Sequence, residues 1–288
     1  MLGRKIARHS VAILATALLG GFLSATMVRL APGFDTDEAQ IDSHLNAESL
    51  RALHEARSQQ NNIVLFYLHS LKRAFQGDLG SSLTLHQPVS QLLLSRAPLT
   101  FRLIGVALLV SWSAAMALAL SASWMRVYAY DAVATAVSGI LMCLPAAVLG
   151  LLSVLWNTPA ALAVAAVIFP RDFRYARNLL ERAYSLPHIT TARAKGLQDW
   201  RILLWHVIPV AGPQLLAVAG VSVSLAVGAA IPIEALCGLA GVGQLAWQAA
   251  LARDLPLLVN ITVLVTLVTL LANTAADLIG SMLGSQPA

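Results

Sequence analysis

Three groupings in this sequence hold residue types that could do chemistry. The first, GVGQLA at 241–246, fits the loose G-x-G-x-x-G/A pattern, in which glycines let a backbone approach a dinucleotide pyrophosphate. That use needs a preceding strand inside a βαβ unit, and here a long apolar run precedes it. There is no G-x-x-x-x-G-K-[ST], and the only lysines are Lys5, Lys72 and Lys195, so phosphates have no cradle. The second grouping is the cysteine pair, Cys143 in an apolar run and Cys237 in a Gly-rich turn. Two cysteines make no disulfide framework, and no ligand spacing fits zinc or an iron–sulfur cluster, so no metal is expected. Ser/Lys, Asp/Asp and H-E-x-x-H arrangements are missing as well. No catalytic residue, no enzymatic activity and no cofactor bound by this chain are expected.

The third grouping is TARAKGLQDWRILLWHVIP at 191–209, a basic patch with an aspartate, a glycine and two tryptophans between apolar runs. Its chemistry is docking. Ile189, Ala192, Gly196, Trp200 and Leu203 follow one another at intervals that draw an apolar stripe along a helix, with Thr191, Arg193, Lys195, Gln198 and Asp199 around it. The small residues Ala192, Ala194 and Gly196 let another surface come close. Gly196 suits a left-handed helix end, and Asp199 suits the cap of a following helix. The expected object is a short helix, a bend and a second helix leading into the membrane. It would plug a groove on a soluble partner with its apolar stripe, or else anchor the loop at the membrane interface.

The elements that hold this segment are apolar. The 288 residues are 58% hydrophobic and 11% charged, with a mean hydropathy of +0.72. Soluble domains carry about 25% charge, so the composition is that of an integral membrane protein. A helical span needs about 20 apolar residues to cross roughly 30 Å of hydrocarbon. Val11–Val28, Leu103–Met125, Ala132–Leu155, Val207–Ile233 and Leu257–Ala276 qualify. The first reads as an anchor rather than a cleaved leader, since no A-x-A site follows it cleanly.

Charge placement supplies a sixth span. Arg4, Lys5, Arg8, Arg126 and the basic residues from Arg171 to Arg201 belong on the cytoplasmic side, which accounts for the net charge of +5 without a nucleic-acid partner. The third run, starting inside at Arg126, ends outside, so the short stretch Pro159–Pro170 must cross back. The predicted class is therefore an all-α membrane protein. It is a polytopic bundle of six transmembrane helices, both termini cytoplasmic, with a periplasmic amphipathic segment and a cytoplasmic coupling helix. Residues 1–30 form the anchor and 31–98 the extracytoplasmic loop. Residues 99–284 form a five-span core with its loop at 185–206.

Within the extracytoplasmic loop, Val64, Tyr67, Leu68, Leu71 and Phe75 recur at helical spacing. GDLGSS at 77–82 reads as a turn, with Pro88 and Pro98 punctuating the approach to the second span. The spans carry no acid or base in their interiors; Asp131, Glu234 and Asp277 sit at their edges. An ion-coupled transporter keeps such groups at membrane depth, so any energy should come from another chain. Gly220, Ser224 and Gly228 form a small-residue face that permits close helix contact. Thr262, Thr266, Thr269 and Asn273 form a polar stripe, either bonding their own helix or lining a path for a polar solute.

TARAKGL followed by W-R-I-L-L-x-H resembles the cytoplasmic "EAA" loop of ABC importer permeases, in the form found in the dipeptide, oligopeptide and nickel permease family. The likeness continues through GDLGSSLTLHQPVSQLLLSRAPLTFRL at 77–103, EALCGLAGVG at 234–243 and LARDLP at 251–256. Pro187-His188, Pro209-Val210 and Ala240 depart from the family's usual residues. The resemblance implies a subunit of the bacterial cytoplasmic membrane that pairs with a second, homologous permease. Two ATPases would dock on the loops and bind all the ATP, and an extracytoplasmic solute-binding protein would deliver the substrate. Carried over as the ATPase-coupling loop are Ala192, Arg193, Ala194, Lys195 and Gly196, with Trp200 beside them. Peptide is the first solute implied, with nickel, metal chelates or other small solutes as alternatives. A secondary transporter and a membrane scaffold are the rivals from other classes.

Overall fold

The structure, a computed structural model, describes residues 76–125 and 128–284, together with 15–16, 18–24, 26–27, 67, 72 and 73. Most of the first span and of the amphipathic segment at 64–75 lies outside them. The described residues are helical, with one isolated bridge between Ser81 and Pro88. From Val89 onward nine helices can be followed among the described residues: α1 Val89–Met125, α2 Tyr128–Cys143, α3 Ala146–Leu155, α4 Ala160–Tyr184, α5 Pro187–Ala194, α6 Asp199–Ile202, α7 Ile208–Leu236, α8 Val242–Leu251 and α9 Leu255–Gly284. A single π turn, Leu203–Val207, joins α6 to α7.

Three of these stretches are long and apolar enough to cross a membrane: Val89–Ala122, Asp199–Leu236 and Leu255–Gly280. The expected third span is different. Ala132–Leu155 is not one rod, because α2 and α3 meet at Leu144-Pro145 with a bend of 97°. Proline lacks an N–H and pushes the preceding residue out of the helical region, so the ladder cannot pass. Prolines elsewhere do less. Pro98 lies inside α1 rather than before it, and Pro170 lies inside α4, which runs unbroken through the expected Pro159–Pro170 crossing to Tyr184. Each costs one backbone hydrogen bond in a helix that neighbours hold in place.

The chain divides into two compact units, Met1–Pro98 with Leu245–Leu267, and Leu99–Gln244 with Val268–Ala288. In the first, the GDLGSS turn is shaped by Gly77 and Gly80 at φ of 83° and 75°, values that favour glycine. Asp254 holds this turn: its carboxylate accepts hydrogen bonds from Ser82 Oγ at 2.5 Å and Thr84 N at 3.1 Å. The same side chain caps α9 by accepting from Leu257 N at 3.2 Å. Asn260 Nδ2 donates to the Leu79 carbonyl at 3.0 Å. Thus GDLGSS and LARDLP, far apart in sequence, are one structural feature.

In the second unit α4 is central, packed on α2, α3 and α7, with α3 also on α7. Its buried residues Ala165, Ile168, Asp172, Ala176, Leu180 and Ala183 recur every third or fourth position, forming one inward stripe. Below it Ala115 and Ala119 of α1, Phe173 and Leu180 of α4, and Ile189, Ala192, Ile202 and Val207 make a single cluster.

Candidate functional site

The basic loop is built on that cluster. α4 ends at Ser185, and Leu186-Pro187 restarts the chain, with Pro187 in the first turn of α5, where no N–H is needed. α5 closes after eight residues. Leu197 N donates to the Ala192 carbonyl at 3.2 Å and Gly196 N to that of Arg193 at 2.9 Å, the two bonds of a Schellman ending. Gly196 takes the left-handed position at φ 76°, as its place after the helix requires. Asp199 is not the cap expected. Gln198 holds that position with no side-chain bond, while Asp199 enters the first turn of α6 and lies 4.0 Å from Arg193.

The apolar stripe also has a different use from the one expected. Ile189 and Ala192 are 1% and 4% exposed, closed against α4 within the chain, and Leu203 packs on the same cluster. They fill the loop's own foundation and are not free to enter a partner's groove. Burying such a stripe on the nearest apolar helix stabilises the loop without waiting for a partner. The outward surface instead carries Arg193, Ala194, Lys195, Gly196 and Trp200. Trp200 Nε1 donates to Gln198 Oε1 at 2.6 Å, and the Arg201 guanidinium stands 5.2 Å from the Trp200 ring. His188 and His206 stack with ring centroids 6.3 Å apart beside the bend. The loop is a capped, packed knob with a basic, tryptophan-bearing tip.

Two arginines that the charge pattern reads only as topology are used inside the chain. Arg177 pairs with Asp131 of α2 at 2.5 Å and with Glu181 at 2.9 Å. Arg174 donates to Ser138 Oγ at 2.9 Å and to the Thr135 carbonyl at 3.2 Å. They fix α2 along α4.

Higher on α4, Asp172 is fully buried. One carboxylate oxygen accepts from Ser111 of α1 at 2.7 Å and the other from Ser222 of α7 at 2.5 Å. Asp172 lies two residues past the expected Pro159–Pro170 crossing, in the part of α4 that continues to Tyr184. Asp172 falls on the buried stripe of α4, which is the signal that could have found it.

Opposite the loop in sequence order, the 234–243 turn is organised by Glu234. Its buried carboxylate accepts from Gly243 N at 2.7 Å and lies at the start of α8. Val242 N donates to Thr100 Oγ1 at 2.8 Å.

This set of helices, the capped basic knob between α4 and α7 and the glycine turn after α7 coincide with a family pattern. Residues 115–286 match the model of the binding-protein-dependent transport system inner membrane component. The chain belongs to this family. Its members are membrane components of transport systems, not enzymes. The match covers the knob, α4, α7 and α9 together, well over half of the 288 residues.

Individual relatives agree with membership. A protein of Brucella abortus named as a peptide transport system permease is 28% identical over 208 residues, 63% of this chain and 66% of that protein. The aligned part thus spans just under two thirds of the Brucella relative. A Sinorhizobium fredii protein named as a peptide ABC transporter permease is 23% identical over 96% of each chain. A nickel import system permease of Staphylococcus aureus is 21% identical over 91% of this chain and 84% of its own.

The residues expected to line a path fall in several settings within this family member. Ser224 accepts from Asn273 Nδ2 at 3.0 Å. A Cβ on Gly220 would stand 2.7 Å from that of Ala276, so Gly220 and Ser224 make the close helix contact that small residues permit. Gly228 is exposed with open space beside it. Thr262 donates to Ser24 Oγ at 3.1 Å, and Thr266 Oγ1 stands 3.5 Å from where a Cβ on Gly20 would lie. Thr269 is half-buried on α9.

Proposed function

We propose that this chain is the membrane-spanning permease subunit of an ABC importer for a small polar solute, a di- or oligopeptide first. It spans the cytoplasmic membrane six times with both termini inside, the α2–α3 pair serving as one bent span and α4 as the return crossing. It pairs with a second, similar permease. The exposed tip, Arg193, Ala194, Lys195, Gly196 and Trp200, docks on one of two cytoplasmic ATPases, while Ala192 sets the tip on its base. A binding protein delivers solute from the other side. ATP is bound and hydrolysed by the ATPases, and no cofactor is held here. Gly228, Thr266 and Thr269 line the path, with Gly220, Ser224, Thr262 and Asn273 shaping its walls.

One observation supports this reading: the apolar side of the knob is buried in the cluster that holds α4, leaving its basic tip exposed. A rigid knob transmits displacement, whereas a floppy anchor would absorb it. The peptide preference follows the names of the Brucella and Sinorhizobium relatives, and the nickel alternative that of the Staphylococcus one.

The test is uptake of labelled trialanine into vesicles holding the permease pair, the ATPases and the binding protein. Uptake should require internal ATP and survive a protonophore. Lys195→Glu, which reverses charge at the docking tip, should lower it about tenfold or more at unchanged permease amount. Wild-type uptake by that variant removes the docking role. Uptake abolished by the protonophore while ATP is maintained makes the chain a secondary transporter.

A further inference from the structure

Asp172 is the feature that membership in the family and the knob leave unexplained. A carboxylate in the interior of a helical bundle is expensive to bury, and the usual remedy is a cation at bonding distance. Among the ion pairs of the described residues none involves Asp172. Its two oxygens are instead shared between two serine hydroxyls on different helices, Ser111 of α1 and Ser222 of α7. All three residues are at most 2% exposed.

The placement gives the contact its meaning. Asp172 lies on the inward stripe of α4, about three turns before Tyr184, where α4 passes into the knob. Below Asp172 the stripe continues as Ala176, Leu180 and Ala183 into the cluster that seats Ile189 and Ala192. Any displacement of the knob therefore moves the lower part of α4 first. Asp172, further along the same stripe, bonds to both α1 and α7.

The Ser222 end has a second partner. Its hydroxyl lies 2.5 Å from Asp172 and also 2.9 Å from the Val218 carbonyl, yet it has one proton to give. It can release Asp172 and keep the Val218 carbonyl, so the cost of the open setting falls on the Asp172 oxygen rather than on α7. Apolar contacts slide gradually, whereas a hydrogen bond of this kind has two discrete settings. Two-setting contacts are what transmit a change of state between distant sites.

We infer that Asp172 is a positioning residue for transport: with Ser111 and Ser222 it forms the clasp through which movement of the knob reaches α1 and α7. This rests on the permease reading and adds to it the route of the stroke. In this reading the clasp also lies on the return route, along which docking of the binding protein is felt at the ATPases.

The test separates a clasp that transmits from one that merely holds the fold. Replacing every member by an apolar residue of similar shape, Ser111→Ala, Asp172→Leu and Ser222→Ala together, leaves no unsatisfied polar group, and such replacement is close to neutral for stability. The variant is assembled with its partner permease and ATPases in vesicles. ATP hydrolysis is then measured with and without the binding protein, alongside trialanine uptake. The expected result is ATPase copurification equal to wild type, a stimulation ratio at least about fivefold lower, and a parallel loss of uptake. Assembly with a stimulation ratio within about twofold of wild type would overturn the inference. Should the triple variant fail to assemble, Ser222→Ala alone decides: it keeps the Ser111 bond and should still lower the ratio, and an unchanged ratio overturns the proposal. The ratio needs no transported solute. A wild-type complex that responds to its binding protein but ignores trialanine therefore refutes the peptide assignment alone, and one that does neither refutes the importer reading.

Discussion

Gly196→Ala isolates the backbone geometry of the knob. Gly196 sits at φ 76°, and a Cβ built there meets nothing within 4 Å, so alanine introduces no clash. What remains is the left-handed conformation itself, which costs a residue with a Cβ roughly 1–2 kcal/mol. Alanine returns about 0.4–1 kcal/mol by stiffening the unordered loop. At mid-range the net cost is about 0.8 kcal/mol in the population of the closed knob, or about fourfold by the usual conversion of 1.4 kcal/mol per decade. That factor is the upper limit of the loss in ATPase binding, reached where the open knob is populated, because only the closed knob presents Arg193, Lys195 and Trp200 together. Titrating purified ATPase onto vesicles carrying the permease pair reads it. Gly196→Asn is the control: asparagine tolerates the left-handed position, so its affinity should fall between wild type and alanine. Gly196→Arg adds bulk on the docking face and should lose most binding. If alanine and asparagine both matched wild type while arginine did not, the Schellman ending would be dispensable and the glycine kept for clearance alone.

Two further substitutions probe other parts of the chain. Gly243→Ala would place a Cβ 2.7 Å from Ile231 Cα and 2.9 Å from the Glu234 carboxylate. The turn must open, and the amount of assembled permease should fall on size exclusion in detergent by more than Gly228→Ala, whose site is open. Thr266→Trp should abolish trialanine uptake if Thr266 borders the path, with ATPase copurification unchanged; normal uptake excludes it.

The sequence made the knob visible because its composition breaks with its surroundings and because glycine after a short helix has one common use. The direction of its apolar stripe could not be read. Helical spacing shows that Ile189, Ala192 and Leu203 share a face, and says nothing about whether α4 or another protein covers that face. The Ala132–Leu155 run looked like a single span because hydropathy is blind to direction; Pro145 was the available warning. Pro98 and Pro170 carry the same local signal and break nothing. The difference lies in tertiary support, which no local pattern records.

Asp172 shows a deeper limit. Beside Arg171 and Arg174 it reads as one more charge at the membrane rim, and its partners Ser111 and Ser222 lie 61 and 50 residues away. Only the stripe from Ala165 to Ala183 marks it as inward, and that stripe is apolar everywhere else. An acid inserted into an otherwise apolar contact face weakens the packing it interrupts unless it finds hydrogen-bond donors there. A leucine would have filled the position at less cost in desolvation. Stability alone therefore gives no reason for this residue, since a buried polar group is weak evidence of a stabilising role. A contact that can let go and re-form supplies one. The knob and the clasp thus lie at two ends of one helical stripe, the first rigid so that displacement enters undiminished, the second releasable so that displacement can leave.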